Sequence, residues 1–374
     1  MNAAIASRLG AVPLVVPLVA EANSCLTSQV GGSLGGLFAA VVLKRLGHNV
    51  RIFERNPTPL LHNQGARVVV GGDTQAFFNR FDATKRPIAV TSNLRQYLDK
   101  EGRQVHEEGM AQKMTSWDLL YYLLRANFDG VKSDYCKVPE SIEGERPRRW
   151  PADRSYEAWR GTVPESEATA AAQKAFVETF TFFHAPGTQI LSYVIPGENG
   201  SLEPGKRLIN WVWYCNYPED SNEFKEFLID SDGKHHHITL PIGKMRKEIL
   251  EGQREYARKI LPPQFADIVC DTKQPFIQAI TDVISSQNSF FDGKLLLIGD
   301  VLAGFRPHTA ASTSQAAFDA PKLYEMMGGK ISLKQWEEET MEYARQMQKK
   351  GVSMGQRSQF GDHPLAQMQD MARS

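Results

Sequence analysis

Two segments near opposite ends of the chain repeat one order of parts: a short apolar run, a glycine turn and a helix-compatible stretch. The first, residues 30–56, reads VGGSLGGLFAAVVLKRLGHNVRIFERN; the second, residues 295–320, reads LLLIGDVLAGFRPHTAASTSQAAFDA. A strand–turn–helix unit presents backbone N–H groups and a helix N-terminus to a phosphate. One such unit is a weak signal. Two in this order, with acidic residues placed for ribose hydroxyls, point to one nucleotide site built from both ends of the chain.

In the first segment Gly31 and Gly36 take the first and third glycine places of G-x-G-x-x-G, and Ser33 takes the second. The second place lets the backbone approach a pyrophosphate, which a serine hinders without preventing. Gly35 and Gly36 allow the following helix to pack closely on a sheet. That helix is expected over residues 37–46, with Gly47 as its C′ residue. Residues 49–53 (NVRIF) then form a β-prone run ending at Glu54, a carboxylate about 20 residues past the glycines, where an adenosine ribose is held. The strand before the glycines, residues 25–30 (CLTSQV), is polar for the centre of a parallel sheet because of Ser28 and Gln29.

In the second segment Asp300 ends an apolar strand, where open α/β sheets bind ligands and a carboxylate can accept from a ribityl or ribose hydroxyl. Arg306-Pro307-His308 follows, then the small residues Thr309, Ala310, Ala311 and Ser312. Small side chains at a helix start let its free N–H groups meet the electron-rich edge of a flavin ring, and Pro307 can pack on that ring. His308 is the motif's one candidate for a polar catalytic contribution; a structural cap is the alternative. The two segments together predict a site for FAD, with Gly31, Ser33, Gly35, Gly36, Glu54, Asp300, Pro307, Ala311 and Ser312 as cofactor contacts.

These residues resemble those of the FAD-dependent aromatic monooxygenases of the para-hydroxybenzoate hydroxylase type, and within them the 2,6-dihydroxypyridine 3-monooxygenase-like branch. The resemblance rests on GGSLGGL, GHNVRIFERNP, Gln64-Gly65-Ala66, YEAWRGTVPE (residues 156–165) and GDVLAGFRPHTAAS (residues 299–312). It implies an α/β (α+β) protein with a Rossmann-like FAD/NAD(P)-binding domain and an inserted antiparallel-sheet substrate domain. On that basis residues 1–150 and 290–374 are assigned to a discontinuous cofactor domain and residues 151–289 to the substrate domain. It further implies hydroxylation of a small aromatic, phenol- or pyridine-like molecule with NAD(P)H and O2 as co-substrates. The cofactor carries most of that chemistry while the protein orients the ring and excludes water.

The chain departs from the family in four places. The A-D-G-x-x-S motif is not found, and a block near residues 140–155 looks missing, as in a truncated product. Arg67 stands where the family has glycine, and Pro321 is expected to kink or end its helix. Two alternatives therefore stay open: a catalytically impaired relative that binds a ligand or partner without turnover, and an NAD-dependent dehydrogenase using the first fingerprint alone.

Elsewhere, residues 117–128 (WDLLYYLLRANF) predict a helix with Ser116 as N-cap and Arg125 on a solvated face. Residues 188–240 predict antiparallel strands, with Trp211, Trp213, Tyr193 and Tyr214 as lining of an aromatic pocket that about half of them would face. The run His235-His236-His237 reads as exposed strand or turn rather than a metal site. Ser332 and Gln335 predict a capped terminal helix to about Gln348.

Lys plus Arg and Asp plus Glu both total 43, so charge gives no ground for nucleic acid or an anionic membrane as partner. Residues 11–20 (AVPLVVPLVA) resemble a signal peptide yet are too short to span a bilayer, so no stable membrane insertion is expected. Four widely spaced cysteines without C-x-x-C fit a reducing, cytoplasmic setting. A homodimer is compatible with all of this.

Overall fold

The computed structural model describes residues 14–17, 26–54, 67–129, 135–137, 156–217, 221–309 and 311–360. Residues 64–66 and the whole block 140–155 lie outside these, as does Ala310.

Two sheets organise the described chain. The smaller has the order β15 (Ser289–Phe290), β16 (Leu295–Leu297), β1 (Leu14–Pro17), β2 (Leu26–Val30), β3 (Asn49–Glu54) and β7 (Tyr135–Lys137). The larger has nine strands: β12 (Thr239–Leu240), β13 (Phe276–Ala279), β8 (Tyr156–Pro164), β11 (Leu208–Asn216), β10 (Thr188–Ile195), β9 (Thr179–Ala185), β5 (Val90–Leu98), β6 (Gln104–Ser116) and β4 (Arg67–Val69). A two-stranded ribbon pairs β14 (Val283–Ile284) with β17 (Ala303–Gly304). The expected antiparallel pairing of β10 with β11 is present. The larger sheet also draws three strands from residues 67–116, in the segment assigned above to the cofactor domain.

The smaller sheet explains how the polar strand before the glycines survives. β2 runs parallel to β3, and on its other side β1 pairs with it in antiparallel register, Leu14 opposite Val30. β1 is part of the apolar N-terminal run, so that run supplies Val15 and Val16 to the sheet. Helix α1 (Leu34–Arg45) covers it. Residues 37–43 of α1 are all at most 1% exposed, the mark of a helix buried on every side. It packs against α3 (Trp117–Asp129) and α8 (Ala311–Met327). As expected, Ser116 Oγ accepts from the Leu119 N–H, and Gly47 follows α1 with φ +88°. Arg125 is held by Asp129 and Tyr121 along its own helix.

The large sheet alternates as strands must. Trp211, Trp213 and Trp159 point to one side, into a core closed by α4 (Ala170–Phe176), α5 (Asn222–Phe227), α6 (Lys247–Ile260) and α7 (Pro263–Asp271). The indole N–H groups of Trp211 and Trp213 donate to the hydroxyls of Thr272 and Thr188 at 2.8 and 2.7 Å. The opposite face carries Tyr156, Arg160, Tyr193, Val212 and Tyr214.

Two helices differ from expectation. Helix α8 runs on past Pro321 to Met327. Proline removes one backbone bond there, and packing on α1 and on α2 (Gly72–Phe81) holds the remainder. Helix α9 (Leu333–Gln359) is capped by Ser332 as expected but extends well past Gln348. Its last three turns cross the open face of the large sheet. No helix among the described residues is long and apolar enough to cross a membrane.

Candidate active site

The two glycine turns meet. Gly31, with φ +98°, takes a conformation that disfavours any side chain, and its N–H donates to Phe53 O at 2.7 Å. Ser33 is the N-cap of α1, but its side chain accepts no N–H from the first turn, so that turn keeps its donors for a ligand. Glu54 reaches back from the end of β3 and accepts from the Gly32 N–H at 2.7 Å. Gly299, with φ +62°, lies against this loop: a Cβ on it would stand 3.6 Å from Gly35 Cα and 3.2 Å from Ala316 Cβ. Segments far apart in the sequence thus form one surface, and both contact points need small residues.

Asp300 follows on this surface. No described residue gives it a hydrogen bond, and it keeps solvent contact. Its surroundings push the carboxyl up to about 6 through desolvation, an effect moderated by that solvent access, so the carboxylate prevails at neutral pH. A crowded recess with an open mouth and an unengaged acceptor suits a ribityl or ribose hydroxyl. Beneath it sits Asp319, fully buried in α8, a residue the sequence reading missed. Asp319 Oδ2 accepts from the Gly299 N–H at 2.8 Å and Oδ1 from Gln315 Nε2 at 2.7 Å, and burial pushes its carboxyl up to about 8. It fixes the turn that presents Asp300. An aspartate in the middle of a small-residue helix was the available signal.

The segment Pro307–Thr309 forms a 3₁₀ turn that faces the large sheet. His308 Nε2 lies 3.0 Å from Tyr156 Oη, and its ring packs on Tyr214 with centroids 4.4 Å apart. Burial, with Arg306 and Arg160 nearby, holds the imidazole down at about 3, so it is neutral at working pH. Arg306, 3% exposed, pairs with Asp282 at 2.6 Å. The main chain at Ala311 begins α8, as the sequence reading required; the side chains of Ala311 and Ser312 lie outside the described set.

A cavity of about 400 Å³ lies between this turn, the open face of the large sheet and the end of α9. Of the four aromatics expected to line a pocket, Tyr193 and Tyr214 do and the two tryptophans face away. Tyr97, Phe180 and Phe182, which the sequence reading did not single out, complete the aromatic wall. The last turns of α9 approach closely because of two glycines. A Cβ on Gly355 would stand 2.7 Å from Tyr156 Oη and 3.1 Å from the His308 ring, and one on Gly351 would stand 3.7 Å from Arg306 O.

His235-His236-His237 lies far from these residues in role: His236 is bound to Asp230 at 2.7 Å, and that bond holds the Asp230 carboxyl down at about 2.

A family model described as "FAD binding domain-like" matches residues 154–282, the stretch that supplies β8 to β13. The 2,6-dihydroxypyridine 3-monooxygenase of Paenarthrobacter nicotinovorans is 25% identical over 369 residues, covering 89% of this chain and 91% of that protein. The solved 2,6-dihydroxypyridine-3-hydroxylase of Arthrobacter nicotinovorans superposes with a TM-score of 0.77 at 23% identity, covering 89% of this chain and 92% of that one. This is the fold of the FAD-dependent aromatic monooxygenases. The resemblance read from the sequence is borne out, and its α/β class with it. The same fold is seen at lower identity in Klebsiella pneumoniae HpxO complexed with FAD and uric acid, with a TM-score of 0.62 at 13% identity over 93% of this chain and 92% of that one. A salicylate hydroxylase substrate complex gives 0.61 at 14%, covering 88% of each chain.

Proposed function

We propose that the chain is a FAD-dependent monooxygenase that hydroxylates a small aromatic molecule, with NAD(P)H and O2 as co-substrates. The observation that carries the reading is the contact of the Gly31–Gly36 loop with the Gly299–Asp300 turn, next to an aromatic-walled cavity bounded by Pro307–Thr309. Its volume falls in the range of about 300–1,000 Å³ common for small-molecule sites.

The residues present fit FAD. The start of α1 offers unengaged N–H groups for the pyrophosphate. Glu54 and Asp300 offer carboxylate oxygens for ribose and ribityl hydroxyls, and Pro307 offers a flat surface for the ring. Bound FAD supplies the redox chemistry, taking electrons from NAD(P)H and activating O2. The chain's own part is to orient the aromatic ring against Tyr193 and Tyr214, and to exclude water with α9. Neutral His308, bonded to Tyr156, carries no charge into that space and serves as a fixed polar wall.

The first test is the visible absorption spectrum of the purified protein, with released cofactor identified. Stoichiometric FAD, and NAD(P)H oxidation that rises with an aromatic substrate and yields hydroxylated product, is the expected result. A colourless folded protein that FAD cannot reconstitute overturns the reading. An NAD-dependent dehydrogenase using the first turn alone would bind dinucleotide equally well after Asp300→Ala.

A further inference from the structure

The smaller sheet holds its two cofactor strands apart. β2 ends at Val30, directly before Gly31, and β16 ends at Leu297, just before the Gly299–Asp300 turn. They do not pair with each other; β1 lies between them, antiparallel to both. β2 and β16 therefore run parallel to one another, with their glycine turns at the same end. Sheets built on parallel strands commonly carry an antiparallel strand at an edge. Here one sits between the two strands that present the ligand-binding turns.

The register of β1 is set against both neighbours at once. Leu14 is opposite Val30 on one side and Leu297 on the other, and Val15 is opposite Gln29 and Leu296. Two rows of residues thus cross all three strands just below the turns. These rows fix a lateral distance: adjacent strands lie about 4.8 Å apart, so β1 holds Val30 and Leu297 roughly 9.6 Å from each other. They also fix the stagger, since a slip of β1 by one residue against either neighbour would offset the two strand ends by about 3.3 Å. Helix α1, which carries Gly35 against Gly299, packs across β1 as well as β2 and β3. Without β1, both neighbours would show unpaired backbone groups beneath a buried helix, which is costly. Direct pairing of β2 with β16 would relieve that cost and draw the Asp300 strand about 4.8 Å towards the Gly31 turn.

We propose that β1 is the spacer of the cofactor site: it sets the distance and stagger between the Gly31–Gly36 turn, which takes the pyrophosphate, and Asp300, which takes the ribityl chain. The proposal rests on the FAD reading and adds to it an element that touches no part of the ligand. A ligand that spans both turns feels the spacer; one that engages only the first turn and Glu54 does not. FAD and a seated β1 therefore stabilise each other, because coupling between two binding events is reciprocal. Leu14, Val15 and Val16 act as positioning residues through their main chain.

The test compares FAD with ADP on the full-length chain, by titration calorimetry for both. Val15→Pro interrupts β1, because proline gives no ladder hydrogen bond and is excluded from the middle of a sheet. FAD affinity should fall about tenfold or more while ADP affinity stays within about twofold, so that the advantage of FAD over ADP shrinks. Val15→Ile, which suits a strand, should keep both affinities. If circular dichroism shows that Val15→Pro does not fold, the milder Val16→Gly is read by the same two affinities. Hydrogen exchange of the Leu14, Val15 and Val16 amides in the unaltered protein gives a readout independent of affinity: it should slow on adding FAD and not on adding ADP. An unchanged ratio of FAD to ADP affinity in the folded variants overturns the spacer, whether both affinities hold or both fall together. Exchange that responds equally to the two ligands overturns it as well. Failure of the unaltered protein to bind FAD counts instead against the cofactor reading, and is settled before any variant is compared.

Discussion

Tyr156 Oη and His308 Nε2 stand 3.0 Å apart, under a helix that carries glycine where any side chain would strike both. That contact ties the large sheet to the turn beside the cofactor surface. Tyr156→Phe leaves a buried imidazole nitrogen without its partner. We expect a loss of about 1 kcal/mol in unfolding free energy, seen in thermal denaturation, with a severalfold weaker hold on FAD. An unchanged melting temperature and unchanged FAD affinity would sink the assignment.

The two glycines of α9 predict opposite outcomes. At 351 an added methyl meets only ordinary contacts, so Gly351→Ala should stabilise by up to about 1 kcal/mol through helix propensity. At 355 it meets the rigid end of Tyr156, so Gly355→Ala should destabilise by about 1–3 kcal/mol. Denaturant titrations of the pair check the difference in sign.

Asp300→Ala and Glu54→Gln should each weaken FAD binding tenfold or more, because a hydroxyl bonded to a carboxylate contributes roughly 1.5–3 kcal/mol. Glu54→Gln keeps an acceptor for the Gly32 N–H, so the loop itself should persist. Flavin fluorescence titration reads both; an unaltered dissociation constant would be falsifying for that residue.

Asp319 makes stability depend on pH. Its carboxyl stands at about 8 in the folded protein against 3.8 ordinarily. Between those values the folded state holds a proton that the unfolded state has released, so stability falls as pH rises from about 4 to about 8. The slope is at most on the order of 1 kcal/mol per pH unit. Neutral Asp319→Asn should flatten it. The Gln315 Oε1, buried without a partner, can accept from the new amide after the Gln315 side chain turns over. His308 acts in the opposite direction: its imidazole is neutral when folded, so stability falls as pH drops from 6.5 towards 3. Melting temperatures across pH 4–9 for protein and variant decide the matter.

How much of this was legible follows from what each signal depends on. The glycine loop, Glu54, the caps at Ser116 and Ser332 and the β10–β11 pairing are local, set by turn chemistry and alternation. Alternation also told that only part of the four aromatics would face a pocket, but not which. The end of α9 was not legible because Gly351 and Gly355 are poor helix formers; close packing on Arg306 and His308 overrides that preference. Pro321 misled for the same reason. Asp319 matters through Gly299, a neighbour only in three dimensions, and no spacing rule reports that.

The strand β1 has a consequence for how the molecule is made. Leu14 pairs on one side with Val30 and on the other with Leu297. This strand therefore waits for one synthesised roughly 280 residues later before its second edge is covered. Until then the growing chain displays an open strand edge, and the larger sheet is likewise incomplete until Phe276–Ala279 joins β8. Such late, long-range closure slows folding and prolongs exposure to aggregation. Yield on expression should therefore follow translation rate and chaperone supply more closely than the stability of the finished fold.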